Sequence, residues 1–458
     1  MAVAVIDIGK TNVKVAAFDE GGRLLADMSQ PNESCGGPPF RHVATMAIWR
    51  FVLESLTSLG RAHAIDCIVP TTHGATVALV GDDPDRDDGL VLPILDYEDA
   101  IVDTIEPTYA AIRPPFADTL SPPLGAGLNF GRQLAYLRHA HANGFAQARA
   151  VLAYPQYWSW RLSGVMTSEV TSYGCHSDLW EPVNHRFSRL ADALDLRPLL
   201  PALVPAYQEI GTLRPELAGR TGLSPATRIL SGIHDSNASL LPHLLGRDKP
   251  FTIISTGTWV IVMAAGIALD RLEPQADMLA NVAADGLPVA CARFMGGREF
   301  AVLTEGVSQS ANVDDLAAVM HAGTLALPAF SDEGGPFRHI PGKIVGSVPD
   351  RRGAWSAIAT LYTALMTDHL ATRLGADKGP IIVEGGFVKS PTYAGILAAL
   401  RPDQTVEAAE TTTGTAQGAA LLATWPRPPA ALSRAVAPLP LPGLDRYAER
   451  WRTAVGRL

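Results

Sequence analysis

Residues 3–19 run Val3-Ala4-Val5-Ile6-Asp7-Ile8-Gly9-Lys10-Thr11-Asn12-Val13-Lys14-Val15-Ala16-Ala17-Phe18-Asp19. Two apolar, β-prone runs flank a short polar turn, which predicts a strand, a tight turn and a returning strand. The first strand ends in a carboxylate and then Gly-Lys-Thr-Asn. Gly9 lets the backbone approach a ligand closely, and successive turn N–H groups with Thr11 and Asn12 can hold phosphate oxygens. Asp7 can hold a metal ion or its water shell, while Lys10 or Lys14 can neutralise phosphate charge. The same residues also suit an ordinary edge hairpin with a polar turn, so this stretch alone leaves both readings open.

A chain of 458 residues exceeds one ordinary core and predicts two domains of roughly 200 residues each. With 47% hydrophobic and 18% charged residues it has ample apolar material for both. A net charge of −9 argues against a general nucleic-acid binder. The first strand begins at once, without the regions of a signal peptide, and no apolar run approaches the ~20 residues of a membrane span. Cys35, Cys67, Cys175 and Cys291 lack ligand-like spacing and are expected as buried or free thiols in a reducing compartment. The expectation is a soluble cytoplasmic protein with no membrane or nucleic-acid partner. Its oligomeric state, a homodimer included, is left open.

Beyond the hairpin, a loop is expected from Ser29 to Phe40, a helix from Thr45 to Leu59, and a buried strand at Ile65–Pro70 leading into Thr71-Thr72-His73-Gly74-Ala75. Strands and helices in this order form an α/β pattern. Tyr154 to Leu162 is aromatic-rich. Near residue 229 a second pass begins: Ile229-Leu230-Ser231-Gly232-Ile233-His234-Asp235 leaves a strand for a loop, with a helix expected over 236–245. Phe251 to Val262 then repeats the opening layout, with Ser255-Thr256-Gly257-Thr258 as its turn. This is a weak internal duplication. Ala354–Leu374 predicts a long helix, and the strand Ile381–Glu384 opens into Gly385-Gly386-Phe387-Val388-Lys389-Ser390-Pro391, where Pro391 suits a first helical turn. A Gly/Ala-rich helix is expected over 414–423, and a Pro-rich tail from about 426.

An Asp-x-Gly-Lys-Thr hairpin, a His-Asp loop, a Ser-Thr-Gly-Thr hairpin and a Glu-Gly-Gly turn thus follow one another. This order resembles the FGGY carbohydrate kinases of the actin–Hsp70–hexokinase superfamily, from Val3 to about Ala423. The resemblance implies two ribonuclease-H-like α/β domains, with mixed sheets flanked by helices and an active site in the interdomain cleft. The domains are expected at 1–244 and 245–458, with the last helix and tail able to pack back onto the first. It also implies ATP and Mg²⁺ as cofactors and a small sugar as substrate. Asp7, Gly9, Lys10, Thr11, Asn12 and Lys14 would hold the triphosphate, with Asp7 on the metal. Thr256, Gly257 and Thr258 would meet the phosphates from the second domain, and Gly385, Gly386 and Ser390 would form the adenosine site.

Asp235 corresponds to the family's catalytic base. A sugar hydroxyl is a poor nucleophile, and a carboxylate accepting its proton contributes ~10²–10⁴-fold. In-line positioning and charge neutralisation supply the remainder. Standing just before a helix, Asp235 also suits an N-cap. His234 resembles the rhamnulose-kinase branch and is a candidate sugar contact, as are His73 and Gly74 in a loop similar to that of xylulose kinases. A structural histidine is the plain alternative for both.

Two departures stand out. Where the family often reads Trp-x-Asp-x-Arg, this chain has Asp96-Tyr97-Glu98-Asp99-Ala100, so Asp96 and Glu98 become candidate hydroxyl ligands. Lys10 stands where Thr or Ser is usual. Gln156-Tyr157-Trp158 falls in a loop region of the family pattern, where Tyr157 could stack on a sugar or pack in the core. Glu169, Ser172 and His176 fall where the family has a Glu-x-Ser/Thr stretch. The expected reaction is phosphorylation of a hydroxyl on a pentulose or deoxyhexulose such as xylulose, ribulose, rhamnulose or fuculose. A glycerol-type polyol kinase and a non-catalytic sugar sensor are the alternatives.

Overall fold

In the first strand, β1 (Ala2–Ile8), side chains alternate between two apolar clusters. Ala2, Ala4, Ile6 and Ile8 join one cluster with Ile48, Val52 and Leu56 of helix α1 (Thr45–Ala62). Val3 and Val5 join another with Ala238 and Leu241 of the helix Asp235–Gly246. Period-two alternation puts Asp7 on the face of Val3 and Val5, the face covered by that second helix. The computed structural model describes residues 2–306, 311–332, 334–409, 414–429 and 433–458.

The chain divides into two units, and neither is continuous in sequence. The first comprises Met1–Gly246, Ala280–Pro288 and Thr413–Ala430; the second comprises Arg247–Leu279, Val289–Thr412 and Ala431–Leu458. In the first unit β1 pairs antiparallel with β2 (Asn12–Asp19), which pairs antiparallel with β3 (Leu24–Pro31). On its other side β1 runs parallel to β4 (Ile65–Thr72), β4 parallel to Arg228–Leu230, and that strand antiparallel to Glu209–Thr212.

The second unit follows the same path with different residues. Phe251–Thr256 pairs antiparallel with Val260–Ala265, and that strand antiparallel with Pro288–Phe294. Phe251–Thr256 also runs parallel to Ile381–Gly385, which runs parallel to Val406–Ala409, itself antiparallel to Ser433–Ala435. Six strands therefore repeat in the same order and direction, which is the physical content of the duplicated hairpins.

Two elements differ from expectation, and the tail, expected as either ordered or loose, is ordered over its described residues. β3 covers the start of the expected loop, because an outer strand is defined by its backbone ladder to β2 while alternate side chains stay exposed. Tyr154–Ser163 is a helix rather than a loop. All but its last residue are buried, so it shows no amphipathic period, and Gly164 ends it in a left-handed turn. The Pro-rich tail carries the strand Ser433–Ala435 and the helix Leu444–Val455. That helix buries Leu444, Tyr447, Ala448, Trp451 and Val455, and Trp451 Nε1 donates to Ala326 O at 2.8 Å. Among the described residues, no helix is long and apolar enough to cross a membrane.

One irregularity sets the site. Arg228 and Ile229 pair with Cys67 and Ile68, and then Ile233 and His234 pair with Thr71 and Thr72. Four residues on one strand span three on β4, so the chain bulges between them. Gly232 turns this bulge at φ +88°, and an added Cβ there would lie 2.6 Å from Pro70 O. Gly232→Ala is therefore expected to destabilise the protein by about 1–3 kcal/mol and to displace Asp235, with a lower denaturation midpoint and lower activity. An unchanged midpoint would show that the bulge tolerates a side chain.

Candidate active site

Parallel strands end together, so the register assembles the site. Asp7 of β1 and Ile233 both pair with Thr71 on β4, one from each side; Ile8 and His234 both pair with Thr72. Asp235 follows as the first residue of its helix. The carboxyl ends of parallel strands in open α/β sheets are where ligands bind, because the chain leaves there in loops and helix N-termini.

His234 is buried, and its Nε2 lies 3.1 Å from Asp235 Oδ1. Its Nδ1 faces the Asn237 side-chain amide at 3.2 Å, and its backbone N donates to Thr171 Oγ1 at 3.1 Å. Thr171 Oγ1 in turn donates to Glu169 Oε2 at 2.5 Å. An added Cβ at Gly74 would meet His234 Nε2 at 2.6 Å, so Gly74 leaves room for this ring. The Asp235 Oδ1 atom also accepts from Ser236 N at 2.6 Å, leaving Oδ2 without a protein donor among the hydrogen bonds described.

Burial opposes ionisation of Asp235, but the hydrogen bond from His234 and the charges of His234 and His73 hold its carboxyl below the ordinary value. Burial pushes the His234 imidazole down while Cys175 and Asp235 pull it up, and the balance lies above the ordinary value. Burial, and then the charge of Asp235, push Asp7 up to about 6 against the pull of Lys14, its cross-strand partner. Two carboxylates thus share one end of the sheet, with His234 keeping Asp235 ionised.

The turn after Asp7 is tightly built. Gly9 N donates to Asn12 O at 2.9 Å, and Asn32 Nδ2 donates to Gly9 O at 2.7 Å. Thr11 and Asn12 are exposed at its tip. Lys10, expected at the phosphates, pairs with acids of the same unit. Its ammonium turns to Asp96 Oδ1 at 2.5 Å and Glu98 Oε2 at 3.4 Å, and lies 4.9 Å from the Tyr97 ring centroid. A buried carboxylate draws the cation there. Arg41 reaches the same acids, with Nε 2.9 Å from Asp96 Oδ2. The His73 ring is buried edge-on to Tyr97, with centroids 5.4 Å apart, and its Nδ1 lies 2.9 Å from Gly74 O.

Tyr157 is not at this site. It is fully buried in the core, its hydroxyl donates to Asp88 O at 2.9 Å, and its ring meets Trp158 edge-on at 4.9 Å. The helix that carries it turns it inward. Glu169 caps the short helix Val170–Tyr173 and supports His234 through Thr171. The Nδ1 atom of His176 lies 2.7 Å from Leu128 O.

In the second unit, Gly257 and Thr258 are exposed at the hairpin turn, and Gly257 N donates to Trp259 O at 2.8 Å. Thr256 is buried, its Oγ1 donates to Glu384 O at 2.5 Å, and the same oxygen accepts from Phe387 N at 2.9 Å. It ties the hairpin to the Gly385-Gly386 turn. Gly385, at φ +85°, sits where an added Cβ would be 2.0 Å from Thr256 O, so this close approach excludes any side chain. Gly385 and Gly386 present exposed backbone, and Ser390 Oγ lies 2.9 Å from Thr392 Oγ1.

Sequence reading missed Arg41, Thr171, Asn237 and Gly232. Arg41 and Thr171 act through contacts distant in sequence, and Asn237 through a contact three residues back that only the helix brings about. Gly232, beside the proposed base, carried the one local signal.

Residues 2–242 match the N-terminal domain of the FGGY family of carbohydrate kinases, and residues 248–431 match the carbohydrate kinase FGGY C-terminal domain. A carbohydrate kinase from Novosphingobium aromaticivorans is 36% identical, with a TM-score of 0.90 over 99% of this chain and 100% of that one. A ligand-bound xylulose kinase from Lactobacillus acidophilus shares the fold at 18% identity, with a TM-score of 0.79 over 100% of this chain and 96% of that one. L-fuculokinase of Salmonella typhi is 29% identical over 281 residues, 58% of this chain. That match spans only 57% of the relative's length. The repeated mixed sheets, the two family matches and the whole-chain likeness agree: the chain belongs to the FGGY family of carbohydrate kinases.

Proposed function

We propose that the protein transfers the γ-phosphoryl group of ATP to a hydroxyl of a small ketose, with Asp235 as the general base. The observation that carries this reading is the register that brings Asp7 and Asp235 to one end of the first sheet, with His234 on Asp235 Oδ1. Asp235 Oδ2 would accept the hydroxyl proton as the oxygen attacks phosphorus, while His234 holds the carboxylate ionised and oriented. Exposed Thr11 and Asn12, with the Gly9 backbone and Lys14, would hold phosphate oxygens. In the second unit Gly257 and Thr258 would meet phosphate, and Gly385, Gly386 and Ser390 would bind the nucleoside.

Among the described residues, no group of three or more His, Cys, Asp or Glu side chains could hold a metal by itself. That fits Mg²⁺, which takes one or two carboxylates and completes its shell with water and substrate phosphates. The crowded Asp7 carboxyl is the residue that would hold it, with Asp235 nearby in charge terms. When bound, Mg²⁺ neutralises charge on the transferring phosphoryl group.

ADP release over ketoses and polyols, for wild type and Asp235→Asn, tests the reading. A ketose should give the highest turnover, and the variant should lose ~10²–10⁴-fold in kcat. Full activity in the variant would remove Asp235 as base. A polyol as best acceptor would favour a glycerol-type kinase, and sugar binding without turnover a sensor.

The folded state binds the Asp7 proton more tightly than the unfolded chain, since the carboxyl is raised to about 6 from 3.8. Its contribution to stability is present below the unfolded value and lost as pH rises through about 6. Without metal, Asp7→Asn should therefore raise the melting temperature by a few degrees at pH 8, and the gain should shrink towards pH 5. A gain independent of pH would refute the electrostatic account.

A further inference from the structure

The strand end that carries the site leaves one buried side chain without a partner. Thr71 of β4 is 0% exposed, and among the described residues its Oγ1 atom makes no hydrogen bond. Thr72, on the opposite face, is satisfied: its hydroxyl donates to His73 O at 3.0 Å. Thr71 pairs in register with Asp7 on one side and Ile233 on the other. Cys67 and Val69 share a cluster with Val3, Val5 and Ile233, so alternation along β4 puts the Thr71 side chain on the face of Asp7. Val69 and Ile233 are apolar and offer it no partner. Asp7 is its polar neighbour across the ladder, yet no hydrogen bond joins the two. The Asp7 carboxylate is acted on by burial and by the charges of Asp235 and Lys14, and by no hydrogen bond. Asp235 Oδ2 likewise has no protein donor among the hydrogen bonds described. Buried polar atoms in native proteins nearly always find a partner, and an unpaired hydroxyl costs stability. A lone water molecule would satisfy Thr71 but bring no charge to the two carboxylates. A cation that keeps its water answers all three groups.

We infer that Thr71 is a positioning residue for the metal ion: its Oγ1 atom accepts a hydrogen bond from a water molecule that the ion carries beside Asp7. The inference rests on the reading of Asp7 as the residue that holds Mg²⁺. Mg²⁺ gives up water reluctantly, so it is bound through one or two carboxylates and keeps several waters. Each such water has two protons to place. A carboxylate can take one, and a neutral oxygen in register with Asp7 can take the other. A third carboxylate at position 71 would add a like charge beside Asp7 and Asp235, and an apolar side chain would leave the water proton unpaired. Threonine avoids both. Outer partners of this kind are worth about 10–100-fold in metal affinity. The metal-free protein is then destabilised by the same hydroxyl that the loaded protein uses.

The test compares wild type with Thr71→Val, which keeps the shape and loses the hydroxyl, Thr71→Ser, which keeps the hydroxyl, and Asp7→Asn. Binding of Mn²⁺ in the presence of ADP is read from water-proton relaxation, and thermal melts are recorded without metal or nucleotide. Thr71→Val should weaken Mn²⁺ binding by about tenfold or more, while Thr71→Ser binds as wild type does. Without metal, Thr71→Val should melt about 2–4 °C higher, because an unpaired hydroxyl has gone. Should Thr71→Val not fold, Thr71→Ala against Thr71→Ser makes the same comparison, since both lack the methyl group and only serine keeps the oxygen. Wild-type Mn²⁺ affinity in Thr71→Val would overturn the inference. So would equal weakening in Thr71→Val and Thr71→Ser, the mark of a packing defect. A metal-free melt lowered by Thr71→Val would overturn it too, by showing that the hydroxyl has a partner within the protein. Unchanged Mn²⁺ affinity in Asp7→Asn would instead overturn the metal reading of Asp7 beneath it.

Discussion

Two carboxylates held at the same end of one sheet are the constraint on which the site depends. Asp7 and Asp235 stand far apart in sequence, and β4 brings them together by pairing in parallel with β1 on one side and with Ile233–His234 on the other. The arrangement costs stability: burial, and then the charge of Asp235, push the Asp7 carboxyl up to about 6, while Asp235 stays ionised through the hydrogen bond and charge of His234. Much of the surrounding structure serves this arrangement. The bulge at Gly232 advances the strand, Thr171 holds the His234 backbone, Asn237 faces its imidazole, and Gly74 leaves space for the ring. Such stored electrostatic cost is common where a protein must receive a cation or a proton.

Duplication of a six-strand path explains how one fold carries two kinds of site. In each unit an antiparallel hairpin abuts a parallel strand, and each hairpin ends in a Gly/Thr turn. The residues then diverge. In the first unit the turn region carries charge, with Asp7, Lys10 and Lys14. In the second the corresponding strand end carries Thr256, whose hydroxyl is spent on bracing the Gly385 turn. Gly385 and Gly386 offer exposed backbone there, as suits recognition by N–H and C=O groups.

The hairpins, the order of strands and helices and the family were legible because they rest on local signals. Alternating apolar residues mark β1 and β2, and Gly and Pro mark the turns around 385–391. The expected Ala354–Leu374 helix matches the observed one residue for residue. Elements without such signals were misread. The helix Tyr154–Ser163 is buried on every side and shows no period, so Tyr157 passed for a ligand in a loop. β3, at the outer side of its hairpin, has too few apolar residues to announce itself.

By itself the sequence determined which residues could do chemistry and in what order they occur, because side-chain identity and local periodicity are properties of short segments. Only the tertiary structure decided which of them face one another. The partner of Lys10 lies 86 residues away at Asp96, and the ammonium sits 4.9 Å from the Tyr97 ring centroid. The physical reason is that charge pairing acts through space: a buried carboxylate attracts the nearest reachable cation wherever the chain has placed it.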